Sequence, residues 1–448
     1  MYFAGQFRLL MVKKHPKKSL AGTFPIVFAF VLLASSTLQA QKMEVQWKEG
    51  LRFTHTGEDN RQFTIGIGGR LHYDAAFIYM GNAIGNQIED SVGNIRNGTE
   101  IRRARFYSSG TVYRLVEYKL QLDFAGGKVV FKDAFIAFCD RNHSIPLWKV
   151  YAGQFKEPFR LESLTSSNHM LFMERAVPAD YSPDRNTGLM LTGELLPSKG
   201  NRNSYGRMGW QAAVFRNADV FGNDANAGEQ FVVTARLTGL PVDDTTAKGT
   251  NIVLHLGAAF SYRYIAGDEY DIAHHPDAHL TEKYLTTGTL AQVNSVRLTG
   301  GEIALLAGRF SFQAEVVQAC IQQIDRRDRY RFIAYYGQTG VFLTPDKHGY
   351  KSSYQGLARV KPAANLGEKS GGRRGAGAWE IALRYGESYL DNPNITGGTI
   401  RNLTAGLNWY LNPVTRLMIN YVYCRLDSKI INGESFAHVV QTRLQVDF

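Results

Sequence analysis

The sequence predicts an all-β fold, a transmembrane antiparallel β-barrel of about sixteen strands with one loop folded inward. Three observations lead there. Apolar and polar residues alternate with a period of two from one end of the chain to the other. The amino terminus has the layout of an export signal. The last strand runs to an aromatic at the final residue, Phe448.

The amino-terminal segment carries Arg8, Lys13, Lys14, Lys17 and Lys18 with no acid, then the apolar run FPIVFAFVLLA and the small polar stretch SSTLQA. A basic head, a short apolar run and small residues make a secretory signal peptide. The run is shorter than the roughly 20 apolar residues a transmembrane helix needs. Residues 1–40 are therefore assigned to the leader, with cleavage after Ala40 and either Met1 or Met11 as the start, and 41–448 to the barrel. Without the five leader cations the formal net charge falls from +11 to +6. The remaining excess is dispersed, which argues against a nucleic-acid binder.

Strand by strand, the alternation is explicit. In FTIGIGGRLHYDAAF, Phe63, Ile65, Ile67, Leu71 and Tyr73 oppose Thr64, Gly66, Gly68, Arg70, His72 and Asp74. EYKLQLDF sets Tyr118, Leu120, Leu122 and Phe124 against Glu117, Lys119, Gln121 and Asp123. LHLGAAFSYR, WEIALRY, LTAGLNWY and RLMINYVY repeat the rhythm. At the end, Val440, Thr442, Leu444, Val446 and Phe448 oppose Gln441, Arg443, Gln445 and Asp447. VVFKDAFIAF has apolar residues on both faces and stays unoriented.

A soluble sandwich shows the same period with its polar face outward, whereas a membrane barrel turns apolar residues to lipid and lines a wet lumen with polar ones. A mean hydropathy of −0.24 is too polar for a helical membrane bundle. The leader, and aromatics near strand ends such as Trp379, Tyr385, Trp409 and Tyr421, favour the barrel. Pairing Phe448 on both sides also removes the free edge a terminal strand would leave. At about 10 residues per strand plus turns and loops, residues 41–448 hold about sixteen strands. Three cysteines far apart, Cys139, Cys320 and Cys424, suggest neither a disulfide framework nor a zinc site.

One long stretch breaks the pattern: KEPFRLESLTSSNHMLFMERAVPADYSPDRNTG, residues 156–188, with three prolines. Loops beyond about 15 residues without structure of their own are usually functional. In a barrel this one is expected to fold into the lumen as a constriction. Leu161, Leu164, Met170, Leu171, Phe172 and Met173 would pack on the wall. Lys156, Arg160, Arg175 and Arg185, beside Glu157, Glu162, Glu174, Asp180 and Asp184, would line the passage.

The blocks GQFKEPFRLESLTSS and MLFMERAVPADYSPDRNTG resemble the constriction region of the phosphate-selective porin family, the bacterial outer-membrane porins O and P and their relatives. IRRARFYSSGTV, EYKLQLDFAGGKVVFKDAFIAF, HHPDAHL, LARVKP, GAWEIALRYGESYL, LNWYLNPVTRLMINYVY and RLQVDF carry the resemblance from about Gly50 to Phe448. It implies a sixteen-stranded, trimeric, anion-preferring diffusion channel with its third loop inside. Partners would be small phosphate-like anions, outer-membrane lipids and lipopolysaccharide. It also makes Phe448 the signal by which the barrel-assembly machinery recognises the precursor.

IRRARFY places Arg103 and Arg105 on the face opposite Ala104 and Phe106. An arginine facing lipid at midplane costs about 2–4 kcal/mol, so these two should face water. With Arg70, Lys119, Arg384 and Arg443 they would form a basic track for anions. The alternative is ordinary lumen charge balanced by Asp74, Glu117, Asp123 and Glu380. Non-selective diffusion and a non-conducting binding or adhesive barrel remain open as alternatives. HHPDAHL is read as an outer loop rather than a metal site, and no nucleophile motif of the G-x-S-x-G kind points to an enzyme. No cofactor is expected.

Overall fold

The computed structural model describes residues 43–47, 50–57, 62–81, 97–140, 147–181, 184–197, 206–217, 219, 221–223, 229–244, 252–324, 329–370, 373–428 and 433–448. The leader assigned to residues 1–40 lies outside them.

Sixteen long strands form the wall. They are β1 (Gln62–Met80), β2 (Asn97–Val112), β3 (Val116–Asp123), β4 (Val130–Cys139), β5 (Lys149–Lys156), β6 (Arg185–Pro197), β7 (Gly206–Arg216) and β8 (Phe231–Asp244). The second half continues with β9 (Ile252–Tyr270), β10 (Leu290–Ala307), β11 (Phe310–Gln323), β12 (Arg329–Phe342), β13 (Ala378–Asn392), β14 (Ile395–Asn412), β15 (Thr415–Ser428) and β16 (Gly433–Asp447). Each pairs antiparallel with the next, and β16 returns to β1 through a ladder from Ala437↔Met80 to Asp447↔Arg70. The barrel is closed, with its sixteen strands as the sequence predicts.

Phe448 adds the last rung of that ladder. Gly69 N donates to Phe448 O at 2.6 Å and Phe448 N donates to Gly69 O at 3.0 Å. Below that point the free flank of β1 is covered by a hairpin, Met43–Trp47 and Leu51–Thr56, whose second strand pairs with Gln62–Ile67. β16 and the hairpin therefore share one flank of β1 end to end.

The expected alternation sets the faces. Phe448, Leu444 and Val440 are exposed on the outside, while Arg443 is buried inside and Gln445 and Asp447 point the same way. Trp379 and Trp409 stack at 4.7 Å on the outer surface near one end of the wall. The ambiguous VVFKDAFIAF is resolved as Asp133, Ala137 and Cys139 buried inward, against Ile136 and Phe138 exposed outward. The wall is uneven: β3, β4 and β5 have 8, 10 and 8 residues against 19 in β9 and 18 in β10. Short turns at 113–115, 308–309 and 413–414 lie at the end that holds Phe448, called the turn end below. The three cysteines form no disulfide.

Candidate functional site

Between β5 and β6 the chain leaves the wall and crosses the interior. Glu157 opens the crossing and receives both nitrogens of the Arg263 fork from β9, at 2.8 and 2.9 Å. A single helical turn follows, Leu161–Leu164. Its first amides would be unsatisfied in a buried place. Wall carboxylates accept them: Leu161 N donates to Glu302 at 2.9 Å and Glu162 N to Glu315 at 2.7 Å. Farther on, Arg416 donates to the Met170 and Leu171 carbonyls, and Arg384 lies 4.5 Å from the Phe172 ring centre. Leu161, Phe172, Met173 and Tyr181 are all buried. The loop is folded inward, as expected, and fixed to the far wall by hydrogen bonds and apolar packing.

Glu174 is its most heavily held residue. Arg102 donates Nε and Nη2 to it at 2.9 and 3.0 Å, Arg443 donates at 2.7 Å, and Arg103 lies 3.6 Å away. Burial alone would raise this carboxyl, but Arg102, Arg103 and Arg443 outweigh it and hold the group well below the usual carboxylate range. Asp184 at the end of the loop behaves alike: burial opposes ionisation, and Arg175, Arg185 and Lys156 overcome it. At Glu162 burial prevails over Arg384, Arg160 and Arg175 and raises the carboxyl.

Two further segments fold inward. HHPDAHL, read from sequence as an outer loop, connects β9 to β10 at the end opposite the short turns and folds inward from there: Asp277 accepts Arg384 Nε and Nη2 at 3.1 and 2.8 Å and Thr404 Oγ1 at 3.1 Å. From the turn end, the segment between β12 and β13 enters the lumen. Tyr354 Oη donates to Lys156 O at 3.1 Å, Arg236 donates to Ser353 O at 2.9 Å, and Tyr350 Oη lies 2.8 Å from His255. The sequence reading missed this segment.

Ser388 Oγ lies 2.9 Å from His274 Nε2, and His274 Nδ1 lies 2.8 Å from Asp180. A serine, an imidazole and a carboxylate in that order are the parts of a hydrolytic triad. Ser388 is fully buried, however, and the Tyr181 hydroxyl also lies on its Oγ at 3.0 Å, so the nucleophile is shielded from any substrate. The group links two inward segments to the wall. Among the described residues no group of three or more His, Cys, Asp or Glu converges as a metal site.

With the β8–β16 side filled, open space lies beside β1–β6 in a cavity of about 650 Å³. Eleven Lys and Arg line it against four Asp and Glu. Of the candidate residues, Arg70, Arg103, Arg105, Lys119, Lys156, Arg175 and Arg185 lie on this cavity. Arg160 and Arg384 do not. Arg160 is buried on Glu315 at 3.4 Å, and Arg384 is buried on Asp277. Arg443, also expected on the track, is held by Asp74 and Glu174. Sequence reasoning overlooked Arg52, Lys149, Lys351 and Arg359, which line the cavity too.

Much of this charge is paired. Arg105 meets Asp123 at 2.7 Å, Lys149 meets Glu117 at 2.8 Å, Arg185 meets Asp133 at 2.7 Å, and Lys119 shares Asp133. Arg70 is different: its guanidinium donates to Ser167 Oγ at 2.9 Å and Ser166 Oγ at 3.4 Å on the inward loop. Lys156 likewise donates to the carbonyls of Ser163, Leu164 and Thr165. Neutral acceptors on the inward loop hold both groups in place.

The family model described as phosphate-selective porin O and P matches residues 65–448. Porin O of Pseudomonas aeruginosa is 24% identical over 479 aligned positions, covering 98% of this chain and 100% of that one. Among solved structures, the outer membrane channel DcaP of Acinetobacter baumannii has a TM-score of 0.50 at 11% identity, covering 86% of this chain and 97% of that one. OmpT of Vibrio cholerae in its trimer form has a TM-score of 0.50 at 9% identity, covering 86% and 99%. At these identities the two structures speak for the fold.

Proposed function

The chain belongs to the phosphate-selective porin O and P family, which makes it an outer-membrane porin channel, and we propose that it passes small anions, phosphate or polyphosphate among them, in preference to cations. The observation that carries the preference is the imbalance of charge around the cavity, eleven cationic side chains against four anionic. Fixed charge of one sign concentrates the opposite ion inside a narrow aqueous path. Arg70 and Lys156 are held by hydroxyl and carbonyl oxygens rather than by a directly bonded carboxylate. An anion enters by exchanging hydration water for these donors and for the paired arginines around them, and it leaves because no single group encloses it.

Orientation follows from the turns, which in such barrels face the periplasm. The segment carrying Tyr354 then rises from the periplasmic side, and the loop of residues 156–188 descends from the outside. Residues 1–40 would direct export and Phe448 would direct insertion. A trimer fits the low wall of β3–β5, whose outer face exposes Leu120, Ile136 and Phe138; lipid and lipopolysaccharide would surround the rest.

The test is conductance of the purified protein in planar bilayers. Replacing chloride by a bulky anion should lower the current more than replacing potassium by a bulky cation. The reverse order would rule the proposal out.

A further inference from the structure

The cavity that carries the positive charge also has an aromatic side. Tyr107, Tyr118, Phe135, Tyr151, Phe155 and Tyr354 all line it. Phe135 and Tyr151 lie with ring centres 5.0 Å apart, Tyr151 and Phe155 5.6 Å, and Tyr151 and Tyr354 6.1 Å, so four of the six form one contiguous patch, in which Tyr151 and Phe155 are buried and Phe135 and Tyr354 are half-buried. Lys149 Nζ sits 5.6 Å from the centre of the Tyr151 ring. The patch is built from separate parts of the chain. Phe135 comes from β4, Tyr151 and Phe155 from β5, and Tyr354 from the segment that enters from the turn end, where its hydroxyl is tied to Lys156 O at 3.1 Å.

A path for a bare oxyanion has no use for such a surface. An oxyanion gains from donors on every side, and aromatic faces carry the negative end of the ring quadrupole. A cavity of about 650 Å³ is also in the range that encloses a whole organic molecule, about 300–1,000 Å³, and a single phosphate leaves most of it to water. Cationic donors and an aromatic patch in one cavity of that size suit a solute with both features.

Building on the anion preference proposed above, we propose that the preferred solute is an organic anion that joins a flat ring to a phosphate or carboxylate group, its ring against Phe135 and Tyr354 and its charged end on the Arg70 and Lys156 side of the cavity. Tyr354 is then a specificity-determining residue, and its segment is a wall of the binding site rather than a simple obstruction.

The test uses the intact channel in planar bilayers with chloride as the current carrier and three blockers: inorganic phosphate, ethyl phosphate and phenyl phosphate. The expected result is half-block by phenyl phosphate at a concentration about tenfold below that for inorganic phosphate, the size of one good ring contact, with ethyl phosphate close to inorganic phosphate. Tyr354→Ala should bring the phenyl and ethyl esters together, and Phe135→Leu should narrow the gap in a wall position that keeps its apolar volume. Equal block by all three phosphates in the wild-type channel would overturn the inference and leave the anion preference standing. The anion preference is read separately, from the reversal potential before any blocker is added; a cation-selective value there would remove the premise and the inference with it.

Discussion

The Glu174 carboxylate and the Arg102 guanidinium meet through two parallel hydrogen bonds, 2.9 and 3.0 Å long, across the gap between the inward loop and β2. Arg102 reaches inward because the β1–β2 ladder shifts register between His72 and Tyr73, which gives β2 an extra residue at this point. Two consecutive arginines, Arg102 and Arg103, thereby reach the same carboxylate. The bulge converts one wall arginine into an anchor for the loop.

Removing that anchor should free the loop. Glu174→Gln leaves Arg102, Arg103 and Arg443 without their shared partner, a loss of about 3 kcal/mol by analogy with broken buried ion pairs. Single-channel records should show larger current noise and a higher mean conductance. A quiet channel of wild-type conductance would mean that the loop is held by its apolar contacts alone.

Acidification should act through the same group. The folded-state carboxyls of Glu174 and Asp184 lie below the usual range. Their contribution to loop docking is therefore complete above the ordinary carboxylate value of about 4.3 and is lost as pH falls through the depressed folded value. Loss of these two groups' contacts should raise conductance and noise only below about pH 5, whereas a change at higher pH would report the raised Glu162 carboxyl. A transition near neutral pH would assign the docking to another group.

Deleting the loop tests its role directly. Removal of residues 164–179 takes away the Met170–Glu174 contacts with β2, β14, β15 and β16. Single-channel conductance should rise and ion preference should weaken, provided the barrel still runs as a folded, heat-modifiable species on unheated gels.

Phe448 and Gly69 make the last rung of the closing ladder. A Cβ added at Gly69 would stand 2.6 Å from the Phe448 ring and 2.7 Å from Arg105 O. Gly69→Val and deletion of Phe448 should each lower the amount of folded barrel in the outer membrane while the exported precursor still accumulates. Gly126→Ala is a suitable control, because its Cβ would meet nothing within 4 Å, although its φ of +78° adds modest strain. Wild-type levels of barrel in both variants would deny the closing strand this role.

The strands and the inward loop were legible because one face of each strand meets lipid, and a period of two survives wherever that holds. The pattern fails where the inside is not wet. Near the loop end of β10–β12 the inward residues are Val296, Leu298, Val317, Ala319, Phe332 and Ala334, packed on Phe159, Val177, Tyr181 and Tyr284. The outward ones there include exposed Arg297, Gln318 and Arg331. Two inward segments turn that part of the lumen into a hydrophobic core, which no local pattern announces. Arg160 and Arg384 were assigned to the passage for their charge. Their partners, Glu315 and Asp277, are 155 and 107 residues away in sequence, so only the fold shows that they are spent on packing. Arg102 and the Tyr354 segment escaped for related reasons: a bulge and a long-range insertion leave no periodic trace.

The central claim is that the excess of positive side chains around the cavity sets the sign of the ions that pass. The most direct measurement is the reversal potential across a KCl gradient for the wild-type channel and for Arg70→Glu, first in dilute and then in molar salt. The wild type should be anion-selective in dilute salt, and R70E should move toward cation selectivity. Both values should converge in molar salt, where the Debye length shrinks from about 10 Å at 0.1 M to about 3 Å. A wild-type reversal potential at zero or on the cation side in dilute salt, or an R70E channel that does not move from the wild-type value, would contradict the account.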